Sequence, residues 1–130
     1  MTRITISADC GNAPKAQLIK DFNIAFAKGN IDAILSYFAD DIYWETVGRK
    51  SWSGKIEVTA VLKSMTEVQA SELIIDNILS HGKQCAANGV LKYGDGSVIG
   101  FCDIYTFSSH DSRAKIKSLI SYAIDMKDNN

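Results

Sequence analysis

Helical and strand periodicities occupy separate stretches of this chain, and that segregation limits the possible folds more than any other feature. Up to Met65 the apolar residues recur mostly at helical spacing; from Leu73 onward they run in β-branched and aromatic blocks parted by short polar turns. Pro14 suits the first turn of a helix, where its missing N–H costs nothing. Leu18, Phe22, Ala25 and Phe26 follow at helical spacing, and Gly29 is placed to stop the helix. Asn30 caps a second, shorter helix with the stripe Ile31, Ile34, Leu35 and Phe38, ended by Asp40-Asp41. Ile42 to Val47 reads as a strand, and Arg49 to Gly54 as a polar loop carrying Trp52. A third helix has Ile56 near its start and sets Val58, Val61, Leu62 and Met65 about a turn apart; Glu67 to Ser71 is linker.

The second half predicts four strands: Leu73 to Leu79, Gln84 to Tyr93, Val98 to Phe107 and Lys115 to Met126. His81-Gly82-Lys83 and Gly94-Asp95-Gly96-Ser97 are hairpin turns, the latter marked by Asp-Gly. Asn88-Gly89 reads as a bulge, because another hairpin so close would leave very short strands. The first ten residues alternate weakly (Ile4, Ile6, Ala8) and fit either a loose arm or a short edge strand. The expected organisation is an arm over 1–13, one domain over 14–127 and a tail at 128–130. Helices segregated from an antiparallel sheet define the α+β class. Three N-terminal helices packed on one strongly curved antiparallel sheet would leave a cavity between the layers.

Composition narrows the function. A chain of 130 residues is one domain's worth and needs no disulfide or metal to fold. Fourteen basic against fifteen acidic residues leave no cationic surplus for phosphate contacts, which argues against nucleic acid. Cys10, Cys85 and Cys102 are an odd set without metal-like spacing and suit a reducing, cytoplasmic setting. No stretch resembles a signal peptide or a membrane span.

Strand parity singles out one residue. Along Val98 to Phe107, one side carries Val98, Gly100, Cys102, Ile104 and Thr106, and the other Ile99, Phe101, Asp103, Tyr105 and Phe107. On the last strand Ile116, Ser118, Ile120, Tyr122 and Ile124 share a side, with Leu119, Ser121 and Ala123 opposite. A sheet wet on one face shows polar residues at every second position, and these strands do not. Helices cover one face; the other is expected to meet a second copy of the chain or the N-terminal arm. Asp103 sits in the apolar row, where a carboxylate must be paired, hydrogen-bonded or protonated. It is either an acid that polarises a ligand carbonyl or a structural acceptor for Trp44, a tyrosine or a backbone N–H.

The run Lys28-Gly29-Asn30-Ile31-Asp32-Ala33-Ile34, then Phe38-Ala39-Asp40-Asp41, Trp44-Glu45, Ser53-Gly54-Lys55 and Phe101-Cys102-Asp103-Ile104-Tyr105-Thr106-Phe107 resembles the SnoaL-like branch of the NTF2-like superfamily, over Lys15 to Met126. The resemblance implies a cone-shaped sheet around a deep pocket and a homodimer through the outer sheet face. The superfamily includes ketosteroid isomerases, polyketide cyclases, epoxide hydrolases, dehydratases and proteins that only bind, so fold does not choose among them. By the resemblance Asp103 matches the protonated Asp of the ketosteroid isomerase oxyanion hole and the acid position of the cyclases. The tyrosine of that hole falls at Phe22 and the general base at Thr46, so two of three isomerase groups are absent, and the Asp-Arg-Asp arrangement of the epoxide hydrolases is not visible. The pocket side of the aromatic strand would carry Trp44 and Thr46 and turn Glu45 away, leaving it a reserve base.

The candidate acid is therefore Asp103, and the candidate pocket residues are Phe22, Phe26, Trp44, Thr46, Met65, Phe101, Tyr105 and Leu119. His81 and Cys85 lack the further ligands a zinc site needs, His110 lies in a polar turn, and Cys102 reads as a small buried residue. The glycines at 94, 96 and 100 lead from strand to strand and are no dinucleotide fingerprint. The expected partner is a small, largely apolar ligand without cofactor or metal. The expected activity is acid–base isomerisation, cyclisation or dehydration; the rival is a non-catalytic binding or dimeric interaction module.

Overall fold

The computed structural model describes residues 2–8 and 13–126; Cys10 and the expected tail at 128–130 lie outside them. Helix α1 spans Pro14–Lys28, and Gly29 ends it in the left-handed region at φ 70°, its N–H returning to the Ala25 and Phe26 carbonyls. Helix α2 is Ile31–Ser36, with the Asn30 side chain accepting the Ala33 N–H, and α3 is Lys55–Met65. Ile19, Phe22, Val58 and Leu62 are the large buried apolar residues that α1 and α3 turn inward, together with Ile34 of α2 and Ala16, Ala25 and Ala27 of α1.

Among the described residues seven strands form one mixed sheet: β1 (Arg3–Ile6), β2 (Phe38–Thr46), β3 (Lys50–Ser53), β4 (Glu72–His81), β5 (Gln84–Lys92), β6 (Val98–Phe107) and β7 (Ile116–Asp125), in the order β1-β4-β5-β6-β7-β2-β3. The fold is α+β, and β4 to β7 pair antiparallel as expected. Two pairings correct the expectation of a wholly antiparallel sheet, for β1 runs parallel to β4 and β2 parallel to β7. Both are crossover pairings between distant segments, which no local turn signal announces. The first residues thus include an edge strand, rather than forming an arm throughout.

Two boundaries also move. Phe38 belongs to β2, not to the second helix: α2 stops at Ser36, and Phe38 pairs with Ile116 across the sheet. The stretch read as a polar loop contains β3, whose Trp52 lies opposite Trp44 with ring centroids 5.3 Å apart. The bulge expected at Asn88-Gly89 lies there, with the extra residue on the facing strand: Ile75 pairs with Gly89 and Asn77 with Asn88, leaving Asp76 over. A Cβ at Gly89 would run into the Ile74 carbonyl oxygen, so only glycine allows this approach. A second irregularity, at Thr106/Phe107, turns Ile116 into the core beside Leu119 instead of leaving it with Ser118 and Ile120.

Candidate functional site

The inner faces of β6, β7 and β2, with α1 and the end of α3, enclose a cavity of about 280 Å³. Period-two alternation delivers Ile99, Phe101 and Asp103 from β6 and Leu119, Ser121 and Ala123 from β7. Trp44 and Thr46 come from β2, Phe22 and Phe26 from one side of α1, and Met65 from the last turn of α3. The structure thus sets Asp103 and seven of the eight expected pocket residues around one space. Tyr105 is the exception. It is 0 % exposed and lies behind Asp103, its ring edge-on to Phe22 at 5.8 Å.

Residues that the sequence reading missed are Asn23, Arg49, Leu91, Tyr93, Ile99, Ser121 and Ala123. Ile99, Ser121 and Ala123 were legible, since each shares a strand side with a chosen residue. Asn23 had a signal too, as a polar residue beside Phe22 on the apolar side of α1. Arg49, from the β2–β3 connection, had none. Glu45 faces away from the cavity and accepts a bond from the Tyr43 hydroxyl at 3.0 Å. Cys102 is exposed on the outer face, contrary to expectation, because none of the described residues covers it.

Asp103 ends a chain of donors. Asn23 uses its Nδ2 twice, donating to the Ile19 carbonyl at 2.9 Å and to the Tyr105 hydroxyl at 3.0 Å. Tyr105 in turn donates to Asp103 Oδ2 at 3.2 Å. From the other side Trp44 Nε1 donates to Ser121 Oγ at 3.1 Å, and Ser121 stands opposite Asp103 in the β6–β7 pair. Trp44 thus spends its N–H on Ser121 and not on Asp103.

Electrostatics follow from this packing. Burial raises the Asp103 pKa from 3.8 to about 6, against the lowering effect of the Ser121 and Tyr105 bonds. Burial, reinforced by the Asp103 charge, holds the Tyr105 phenol well above its ordinary value, so it remains a donor. Asp103 is thus a carboxyl that can take up or release a proton near neutrality, in the direction the isomerase resemblance implied. Tyr105 already addresses one carboxyl oxygen, Oδ2, as a donor. The site can hold an apolar body and exchange one proton near neutrality.

Among the described residues no group of three or more His, Cys, Asp or Glu is arranged to hold a metal ion, and no helix is long and apolar enough to cross a membrane. The SnoaL-like domain family matches residues 19–116. No curated protein matches the chain. Among solved structures, an NTF2-like protein of unknown function from Cytophaga hutchinsonii is 25% identical, with 85% of this chain and 98% of that one covered at a TM-score of 0.63. An LEH-like epoxide hydrolase from M. tuberculosis is 19% identical, covering 85% and 83% at a TM-score of 0.71. A candidate ketosteroid isomerase from Kribbella flavida is 13% identical, covering 90% and 82% at a TM-score of 0.68. The last two likenesses show the fold alone.

Proposed function

The chain belongs to the SnoaL-like domain family, and from that premise we propose that it binds a small, largely apolar molecule carrying a carbonyl or hydroxyl group in the cavity, with Asp103 exchanging a proton with that group. The reaction class is cofactor-free isomerisation, cyclisation or dehydration. The observation that carries this reading is a buried carboxyl, poised at about 6, on the wall of a mainly apolar cavity. Trp44, Phe22, Phe26 and Phe101 shape the space, Thr46, Met65 and Leu119 complete its walls, and Tyr105, from behind, positions Asp103.

Proton exchange has a direct readout. Small carbonyl compounds incubated with the protein in D₂O should exchange their α-protons, as followed by NMR, and Asp103→Asn should abolish the enzymic part of that exchange. The second reading, a binding module without catalysis, draws on the absence of any other carboxylate among the described cavity-lining residues. Acid–base isomerisation normally uses two groups with separated pKa values. Binding across the panel with no α-proton exchange selects that second reading.

We further propose a homodimer through the outer sheet face. Tyr122 and Ile124 on that face are 49% and 68% exposed in the single chain, and β1 lies at the far edge, beside β4, so it leaves them uncovered. Sedimentation should find a dimer at micromolar concentration, and a monomer there removes this part of the proposal.

A further inference from the structure

The cavity has a polarity along its length. Asp103 is near the closed end, next to the buried Tyr105. The opposite end opens beyond Ile99 and Ala123, and there Arg49 lines both the cavity and an adjoining depression. Arg49 is the one Lys or Arg among the described cavity-lining residues. It is exposed on the short β2–β3 connection, held there by its backbone N–H on the Thr46 carbonyl at 3.0 Å. Asp125 lines the same depression, yet the two ion pairs found among the described residues, Lys55–Asp40 and Lys92–Glu72, leave Arg49 unpaired.

We infer that the ligand is an amphipathic acid: an apolar body with its neutral carbonyl or hydroxyl toward Asp103 and a carboxylate at the mouth, held by Arg49. This deepens the proposed function and rests on the cavity being a binding site. A planar guanidinium takes a carboxylate through two parallel N–H bonds, more favourably than a neutral partner. Four steps of extended strand lead from Ile99 to Asp103, on the order of 14 Å at ~3.4 Å per residue. A carboxylate at the mouth, beside the exposed Arg49, thus stands far from the Asp103 charge. The reverse orientation would bring two anions together in an apolar space. The two charged groups therefore select one direction of entry as well as one class of ligand.

Calorimetric titration of the full chain with biphenyl-4-carboxylate and with biphenyl-4-carboxamide tests this. The pair share an apolar body and differ in charge. The acid should bind about tenfold more tightly than the amide, the scale of one charge-assisted contact. Arg49→Gln should bring the two affinities together, and Arg49→Lys should keep part of the preference. Raising the salt to 1 M should weaken the acid and spare the amide, a readout that needs no variant. Equal affinities for the native protein, or a preference surviving Arg49→Gln, would overturn the assignment while leaving the cavity reading intact. If neither probe binds or shifts the cavity resonances, the cavity reading fails and this inference falls with it.

Discussion

The two ends of β6 have opposite fates. At one end Tyr105 and Phe107 are 0 % and 1 % exposed, packed under α1 and beside Ile116 and Leu119 of β7. The Lys15 ammonium lies 5.5 Å from the Phe107 ring centre and donates to the His110 and Asp111 carbonyls, fastening the β6–β7 turn to α1. At the other end Ile99 and Phe101 are half-buried and face empty space. Both ends have the same alternating apolar pattern. What differs is the cover, because α1 fills one end and leaves the other open. Asp103 stands at the boundary, buried enough to lose its water and close enough to the opening to meet a ligand.

The sharpest way to break that contrast is to truncate one aromatic at each end. Phe107→Ala should lower the unfolding free energy by about 3–5 kcal/mol, read by urea denaturation. Phe101→Ala should cost about 1–2 kcal/mol and act chiefly on ligand affinity, since half its surroundings are already open. Equal losses would mean that the open end is packed in solution.

Next in size is the cost of the boundary carboxyl. Its folded pKa lies above its ordinary 3.8, so the unfolded chain releases this proton first as pH rises. Stability from this group is full below pH 3.8, falls between there and about 6, and stays lower above. The gap is worth about 3 kcal/mol. Asp103→Asn should remove that slope from a pH series of denaturation curves; an unchanged slope would assign it to other carboxyls.

Tyr105→Phe should cost about 1–2 kcal/mol, because it leaves an Asn23 N–H without its acceptor. It also removes a donor to the charged form, so the Asp103 titration should move above about 6. A stability loss without that movement would mean that Tyr105 only fills space. The smallest effect belongs to the open rim: Arg49→Gln should change stability by less than about 0.5 kcal/mol, since the side chain is exposed and has no ion-pair partner among the described residues.

The same contrast explains what could be read from the residues alone. Strand β6 was legible to its ends because an Asp-Gly turn precedes it and the ten residues that follow are apolar but for Gly100, Asp103 and Thr106. Its parity gave Asp103 and Phe101 a common side, and the helix spacing gave Phe22 and Phe26. Tyr105 was put in the pocket wall because parity names a side, while only the packed position of α1 decides which part of that side is filled. Phe38 continues the helical spacing of Ile31 and Ile34, but the sheet claims it through Ile116. Lys50-Ser51-Trp52-Ser53 is too short and polar to signal a strand without its partner in β2. Arg49 owes its place to that same hairpin, so it too was hidden.

The most direct measurement is the ¹³Cγ titration of Asp103 in the ligand-free protein. A midpoint near pH 6 is expected, showing a carboxyl deprived of water and ready to exchange its proton at neutrality. A midpoint at or below the ordinary 3.8 would mean that water or its donors fully satisfy the charge, and Asp103 would then be a structural acceptor only.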